Sequence, residues 1–131
     1  MIIKITNEDI KGGQLDKEAL ATLGADAVEV KGDWIIFKTD VNFNDCDFLA
    51  SVSGATFNGY VNLWHCKSLT SAEGATFNGK VVFSYCDSLT SVAGATFNGN
   101  VEFVECESLA SVAGATFKKG FKAISCPNLK Q

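Results

Sequence analysis

Five cysteines recur at an unbroken interval of twenty residues, at positions 46, 66, 86, 106 and 126. The blocks that begin at Val41, Val61, Val81 and Val101 align without gaps, and a partial copy, FKAISCPNLK, follows them. A unit of this length cannot bury its apolar face alone, whereas stacked copies bury a continuous core in which each copy contacts its neighbours. The repeat therefore predicts a solenoid.

Three of the four full copies contain the segment V-x-F-x-x-C, and the copy at Val61 carries Leu63 in place of Phe; this alternation of apolar and variable positions is typical of a short, half-buried strand. Identical strands one coil apart pair in register as a parallel sheet, with a spacing of ~4.8 Å. We therefore expect a mainly β protein, a right-handed parallel β-solenoid of about five twenty-residue coils over residues 37–131. The side chains expected inside it are Val61, Leu63, Cys66, Leu69 and Phe77.

A repeated corner is indicated by Asn58-Gly59, Asn78-Gly79 and Asn98-Gly99, because asparagine and glycine tolerate positive φ. The large apolar residues Phe97, Phe103, Leu109 and Phe117 are separated by six, six and eight residues. This spacing excludes a pentapeptide-repeat helix, in which apolar centres recur every five residues.

The stretch VEFVECESLASV resembles the leucine-rich repeat L-x-L-x-x-C-x-x-L-x-x-L, with Cys106 where that family carries Asn or Cys. The pattern is also similar to twenty-residue, Cys-containing repeat proteins of bacteriophages and prophages. The resemblance covers residues 37–129. Val and Phe replace most leucines, and a convex helix has no room, so a curved horseshoe and a nearly straight solenoid both remain open.

Residues 1–36 do not repeat, and we interpret them as an N-terminal capping segment. Thr6 or Asn7 is expected to cap a short turn. Asp16 is a typical N-cap residue, residues 17–23 form the predicted helix and Gly24 ends it. A solenoid needs a cover over its first open edge, and this helix would supply it. Two further strands are expected, at residues 27–30 and 34–37.

Charge and cysteine usage restrict the partners and the compartment. All fifteen acidic residues lie before Ser108, and the chain contains no arginine, which disfavours direct nucleic-acid binding. No stretch approaches the roughly 18 apolar residues of a membrane span, so no membrane association is expected. No secretory signal is visible and the cysteine count is odd, so we expect free thiols in the cytoplasm.

Comparison of the copies separates invariant positions from variable ones. The second, fourth and fifth positions differ between copies and surround the inward Val, Phe and Cys, so they are expected to face outward. Exposed Trp and Tyr are typical interface anchors, although neutral drift at solvent-facing positions is the competing interpretation. The predicted protein-binding residues are Asn62, Trp64, His65, Val82, Tyr85, Glu102, Val104 and Glu105.

No catalytic centre is expected, and neither a cofactor nor a metal. His65 is the one histidine, and its column mates Asp45, Tyr85 and Glu105 face outward with no pocket in view. No Walker, GxGxxG, GxSxG or HExxH motif is present, and a linear row of cysteines offers no tetrahedral zinc site.

The sequence thus predicts a non-enzymatic protein-binding module. The resemblance to phage repeat proteins implies a phage-encoded inhibitor of a host defence system, such as an anti-CRISPR protein. A generic structural or interaction repeat protein remains an alternative. An acidic DNA mimic is a further one, although Lys67 interrupts its acidic stripe. The partner is an unidentified protein, and an end-to-end homodimer is also left open.

Overall fold

The computed structural model describes residues 2–130, which form a parallel β-solenoid of about four turns. The mainly β, solenoidal fold predicted from the repeat is confirmed. Met1 and Gln131, the outermost residues of the two predicted segments, lie outside the described residues.

Two six-stranded sheets form the walls of the solenoid. In spatial order, the first sheet contains β1 (Ile2–Lys4), β6 (Asp40–Asn42), β8 (Val61–Trp64), β10 (Val81–Ser84), β12 (Val101–Val104) and β14 (Lys122–Ile124). The second contains β4 (Val28–Lys31), β5 (Trp34–Phe37), β7 (Ala55–Phe57), β9 (Thr76–Phe77), β11 (Thr96–Phe97) and β13 (Thr116–Phe117).

The strand register preserves the twenty-residue period, because Phe83 pairs with Leu63 on one side and with Phe103 on the other. Side chains at equivalent positions of successive coils therefore lie above one another between the sheets. The residues predicted to face inward are buried, with exposed fractions of 0–1% at Val61, Leu63, Cys66, Leu69 and Phe77.

Two invariant positions shape the turn between the sheets. The Ser71 hydroxyl accepts a hydrogen bond of 3.0 Å from the Glu73 amide, and the serines one coil before and after repeat this bond. Gly74 then adopts a φ of 78°, a left-handed conformation that glycine reaches without steric cost.

The prediction that the Asn-Gly pairs supply positive φ is wrong. Gly79 is not left-handed, but a Cβ atom built on it would lie 2.6 Å from the carbonyl oxygen of Gly59 in the preceding coil. The glycine is needed for close approach between backbones. Its asparagine neighbours form a ladder, in which Asn78 Nδ2 donates to Asn58 Oδ1 at 2.9 Å and Asn98 repeats the bond.

The N-terminal segment contacts the first coil, where the Ala50 amide donates to the Gly13 carbonyl at 2.8 Å. The helix α1 spans Lys17–Ala21, two residues shorter than expected, and Asp16 makes no side-chain capping bond. A 3-10 turn, Asn7–Asp9, carries the Thr6 capping box. The buried Leu20 anchors α1. A small hairpin connects these elements, formed by β2 (Ile10–Lys11) and β3 (Gln14–Leu15).

The same segment also extends both sheets. Strand β1 pairs in parallel with β6, and β4 pairs antiparallel with β5 at the edge of the second sheet. Neither pairing was expected from the sequence, although two strands close to the positions of β4 and β5 were. No helix within residues 2–130 has the length and apolar character that crossing a bilayer requires.

Candidate protein-binding surface

The fifth position of each copy, which directly follows β8, β10, β12 and β14, adopts a left-handed conformation. Its φ lies between 49° and 60° at Asp45, His65, Tyr85, Glu105 and Ser125. The backbone amides of the first four donate to a carbonyl of the next coil, as Tyr85 does to Val104 at 2.9 Å. The side chains of this corner therefore form a column with the spacing of the coils.

Three aromatic rings lie close together at this corner, two from the column and one from Trp64, the residue before His65. The ring centroids of Trp64 and His65 are 4.0 Å apart, and those of His65 and Tyr85 are 5.1 Å apart. The neighbouring Glu105 carboxylate raises the pKa of the Tyr85 hydroxyl above its usual value. We call Trp64, His65, Tyr85 and Glu105 the aromatic corner. Trp64 and Tyr85 remain 38% and 39% exposed.

The remaining predicted residues lie in two rows beside the aromatic corner. Asn62, Val82 and Glu102 pair in register and are half-buried. The Glu102 carboxylate is engaged by the Lys80 ammonium at 3.1 Å. Val104 belongs to the row of Trp64, which the structure extends to Ile124, a residue that is 39% exposed. Ile124 was missed because its copy of the repeat is incomplete.

Exposed aromatic residues also occur outside the predicted surface. Trp34 is 64% exposed and Phe48 is 63% exposed, both more than Trp64. Phe48 could have been found by the comparison of copies, because the other three carry serine at its position. Trp34 lies before the first copy, where no such comparison exists.

The cysteines are free and form an inward column, as expected. Each thiol donates to a carbonyl of the preceding coil, as Cys66 does to Phe43 at 3.2 Å and Cys46 does to Ile5 at 3.1 Å. Burial raises the pKa of Cys46 from 9.0 to about 12. The neighbouring thiols of Cys106 and Cys66, together with burial, raise the pKa of Cys86. These protonated thiols are poor nucleophiles and poor metal ligands.

Within residues 2–130, no three His, Cys, Asp or Glu side chains are grouped so that they could hold a metal ion. Comparisons of the chain with models of protein families, with curated proteins and with solved structures found no match. The resemblance to leucine-rich repeats accordingly stays a prediction from the repeat pattern.

Proposed function

We propose that this chain is a non-enzymatic protein-binding module and that the aromatic corner is the centre of its contact surface. The observation that carries the proposal is the left-handed conformation of Tyr85 and Glu105. Bulky residues in this region cost on the order of 1 kcal/mol or more, and such strain is concentrated at functional sites.

The chain itself shows that a cheaper solution was available. At the turn before the second sheet, where positive φ is also required, successive coils carry glycine at positions 54, 74, 94 and 114. At the opposite corner they carry Asp, His, Tyr and Glu instead. A side chain retained at a strained position, where glycine would fold more easily, is best explained by what it contacts outside the chain.

The chemistry of the corner suits a protein partner. Trp and Tyr supply large contact areas with few rotatable bonds, and a sheet edge holds them at little ordering cost. Acidic residues lie close to the rings in sequence, namely Asp87, Glu105 and Glu107, and Lys67 is the one basic residue at the seventh position of the copies. The complementary partner surface would therefore carry positive charge.

A narrower form of the proposal is a phage-encoded inhibitor of a host defence system, and it rests on the sequence resemblance alone. A plaque assay on hosts with and without a CRISPR defence tests it. Free, buried thiols favour a reducing cytoplasm as the place of action. A DNA mimic is less well supported, because His65, Tyr85 and Lys67 interrupt the acidic columns.

The test is the affinity for a captured partner, measured by calorimetry with matched variants. Trp64→Ala and Tyr85→Asn should each weaken binding by about 2 kcal/mol or more, as expected for hot spots. Asparagine tolerates positive φ, so Tyr85→Asn should leave the melting temperature unchanged or higher. The controls are Glu73→Ala, in the exposed turn before β9, and Trp34→Ala, which removes a more exposed aromatic ring.

Two results would contradict the proposed surface. One is unchanged affinity in the Trp64→Ala, Tyr85→Asn double variant while its melting temperature equals that of the parent. The other is a loss of affinity in Trp34→Ala that exceeds the loss in Trp64→Ala. The second result would move the contact surface to the N-terminal coils.

A further inference from the structure

A cavity of about 240 Å³ lies at the start of β12 and β14, away from the aromatic corner. Three lysines line it, Lys80, Lys119 and Lys122, together with Asn100 and Glu102. No residue of the aromatic corner lines this cavity, and of the predicted protein-binding residues only Glu102 does.

The cavity exists because the repeat is broken here. The last position of each copy reads Tyr60, Lys80 and Asn100 before it reaches Gly120, which contributes no side chain. The last copy also replaces Asn-Gly with Lys118-Lys119. A space is therefore left beside Asn100, at the point where two ammonium groups are added.

The broken repeat also leaves a backbone donor without its usual acceptor. The Val41, Val61 and Val81 amides each donate to the carbonyl of the last residue of their own copy, which are Tyr60, Lys80 and Asn100, at 2.8, 2.9 and 3.0 Å. The Val101 amide makes no equivalent bond to Gly120 in the part of the chain that the structure describes. Val101 is 3% exposed and lines the cavity. A backbone amide that has no acceptor within the chain takes one from water or a ligand.

The charge of the cavity opposes that of the whole chain. Glu102 is neutralised by Lys80 at 3.1 Å, whereas Lys119 and Lys122 have no ion pair among residues 2–130. No acidic residue follows Glu107, although the net charge of the chain is −4. The local field is therefore positive and favours an anion that carries more than one charge.

We propose that this cavity binds the phosphate group of a phosphomonoester. Its volume is below the roughly 300 Å³ typical of sites for drug-sized ligands but accommodates a tetrahedral dianion. Lysine ammonium groups and backbone amides are the usual phosphate donors in proteins. The group is supplied by a free phosphate monoester or by a phosphorylated side chain, and both present the same chemistry.

The test is a titration with inorganic phosphate at constant ionic strength, followed by two-dimensional NMR of the backbone amides. The amides of Val101 and Gly120 should shift and saturate together. The Lys119→Gln, Lys122→Gln double variant should raise Kd by roughly tenfold or more. The Lys118→Gln, Lys130→Gln double variant removes the same charge outside the cavity lining and should keep Kd within about twofold.

A second variant tests the cavity without removing charge. Gly120→Asn returns a side chain to this position at a φ of 75°, which asparagine tolerates, and its Cβ meets no atom within 4 Å. The variant should keep its melting temperature and lose the phosphate-dependent shifts. The affinities of glycerol phosphate and of a phosphoserine peptide are then compared with that of inorganic phosphate. The compound that binds more tightly than inorganic phosphate identifies the source of the phosphate group.

Three outcomes would overturn the proposal. The first is the absence of saturable shifts at Val101 and Gly120 at millimolar phosphate. The second is an equal loss of affinity in the two double variants, which would show general electrostatic attraction. The third is equal binding of succinate, which would show that the cavity does not select a phosphate group.

Discussion

Each coil places a cysteine at the inward corner, where a small side chain with a weak hydrogen-bond donor meets two requirements. The thiol fills core volume, and its S–H group reaches a carbonyl of the preceding coil. The Phe43 carbonyl accepts from the Cys46 amide at 3.1 Å and from the Cys66 thiol at 3.2 Å. The column thus joins neighbouring coils without any disulfide.

Because the pKa of Cys46 is raised, the stability of the fold should decrease as the pH rises through the alkaline range. The folded chain keeps this thiol protonated up to about pH 12, whereas an unperturbed thiol loses its proton near 9.0. Its contribution is therefore complete below about pH 9 and declines as the pH rises toward 12. The melting temperature should fall less steeply over this range in Cys46→Ser than in the parent, because serine does not ionise there.

Lysine and tyrosine titrations are common to both proteins and cancel in the comparison. Identical slopes of melting temperature against pH would show that Cys46 ionises normally in the folded chain.

Residue identities predicted the inward column well and the outward column only in part. The invariance of Val61, Cys66 and Leu69 across copies identified the core, because every coil must superpose on the next. The left-handed corner could not be foreseen from the column as a whole, since Tyr85 and Glu105 are not residues that mark positive φ. Likewise, the ion pair that engages Glu102 depends on Lys80, one coil earlier.

At the level of elements, strands with clear alternation were predictable and very short ones were not. The first-sheet strands span four residues in three copies and show the period of two. In the second sheet β9, β11 and β13 are two residues long, which is too short for any period to appear. Strand β1 was missed because its partner β6 lies more than thirty residues along the chain.

The close packing of Asn-Gly turns predicts a strong effect of Gly79→Ala. The new methyl group would lie 2.6 Å from the Gly59 carbonyl oxygen. Neither can move away easily, because each is attached to backbone that is packed between neighbouring coils. We expect a loss of about 2 kcal/mol or more in the free energy of unfolding, as for an overpacked core. Chemical denaturation measures it.

Gly120→Ala is the matched comparison, because its Cβ meets no atom within 4 Å and its cost is limited to the strain of a φ of 75°. A smaller loss in Gly79→Ala than in Gly120→Ala would contradict the close approach of the turns.

Across the whole molecule, five phenyl rings form a continuous stack along the solenoid. Centroids of successive rings are 4.9 to 5.1 Å apart, and their planes are within 8° of parallel. The members of the stack are Phe37, Phe57, Phe77, Phe97 and Phe117. Because every ring contacts the rings of both neighbouring coils, damage in one coil is felt by the next, and unfolding should be cooperative along the whole stack.

Phe97→Ala tests this cooperativity from the middle of the C-terminal half. Phe97 is fully buried between Phe77 and Phe117 and meets Phe83 edge-on with centroids 6.2 Å apart. Its removal should lower the free energy of unfolding by roughly 3 to 5 kcal/mol through lost burial and the cavity left behind. Phe48→Ala, at a 63% exposed position, should change it by less than about 1 kcal/mol.

Tryptophan fluorescence reports the unfolding of the earlier coils in both variants, since Trp34 and Trp64 lie in earlier coils than residue 97. In Phe97→Ala their signal should change at the same denaturant concentration as the far-UV circular dichroism. An unchanged midpoint would remove Phe97 from the core, whereas a tryptophan transition that keeps the parent's midpoint while the circular dichroism shifts would show that the coils unfold separately.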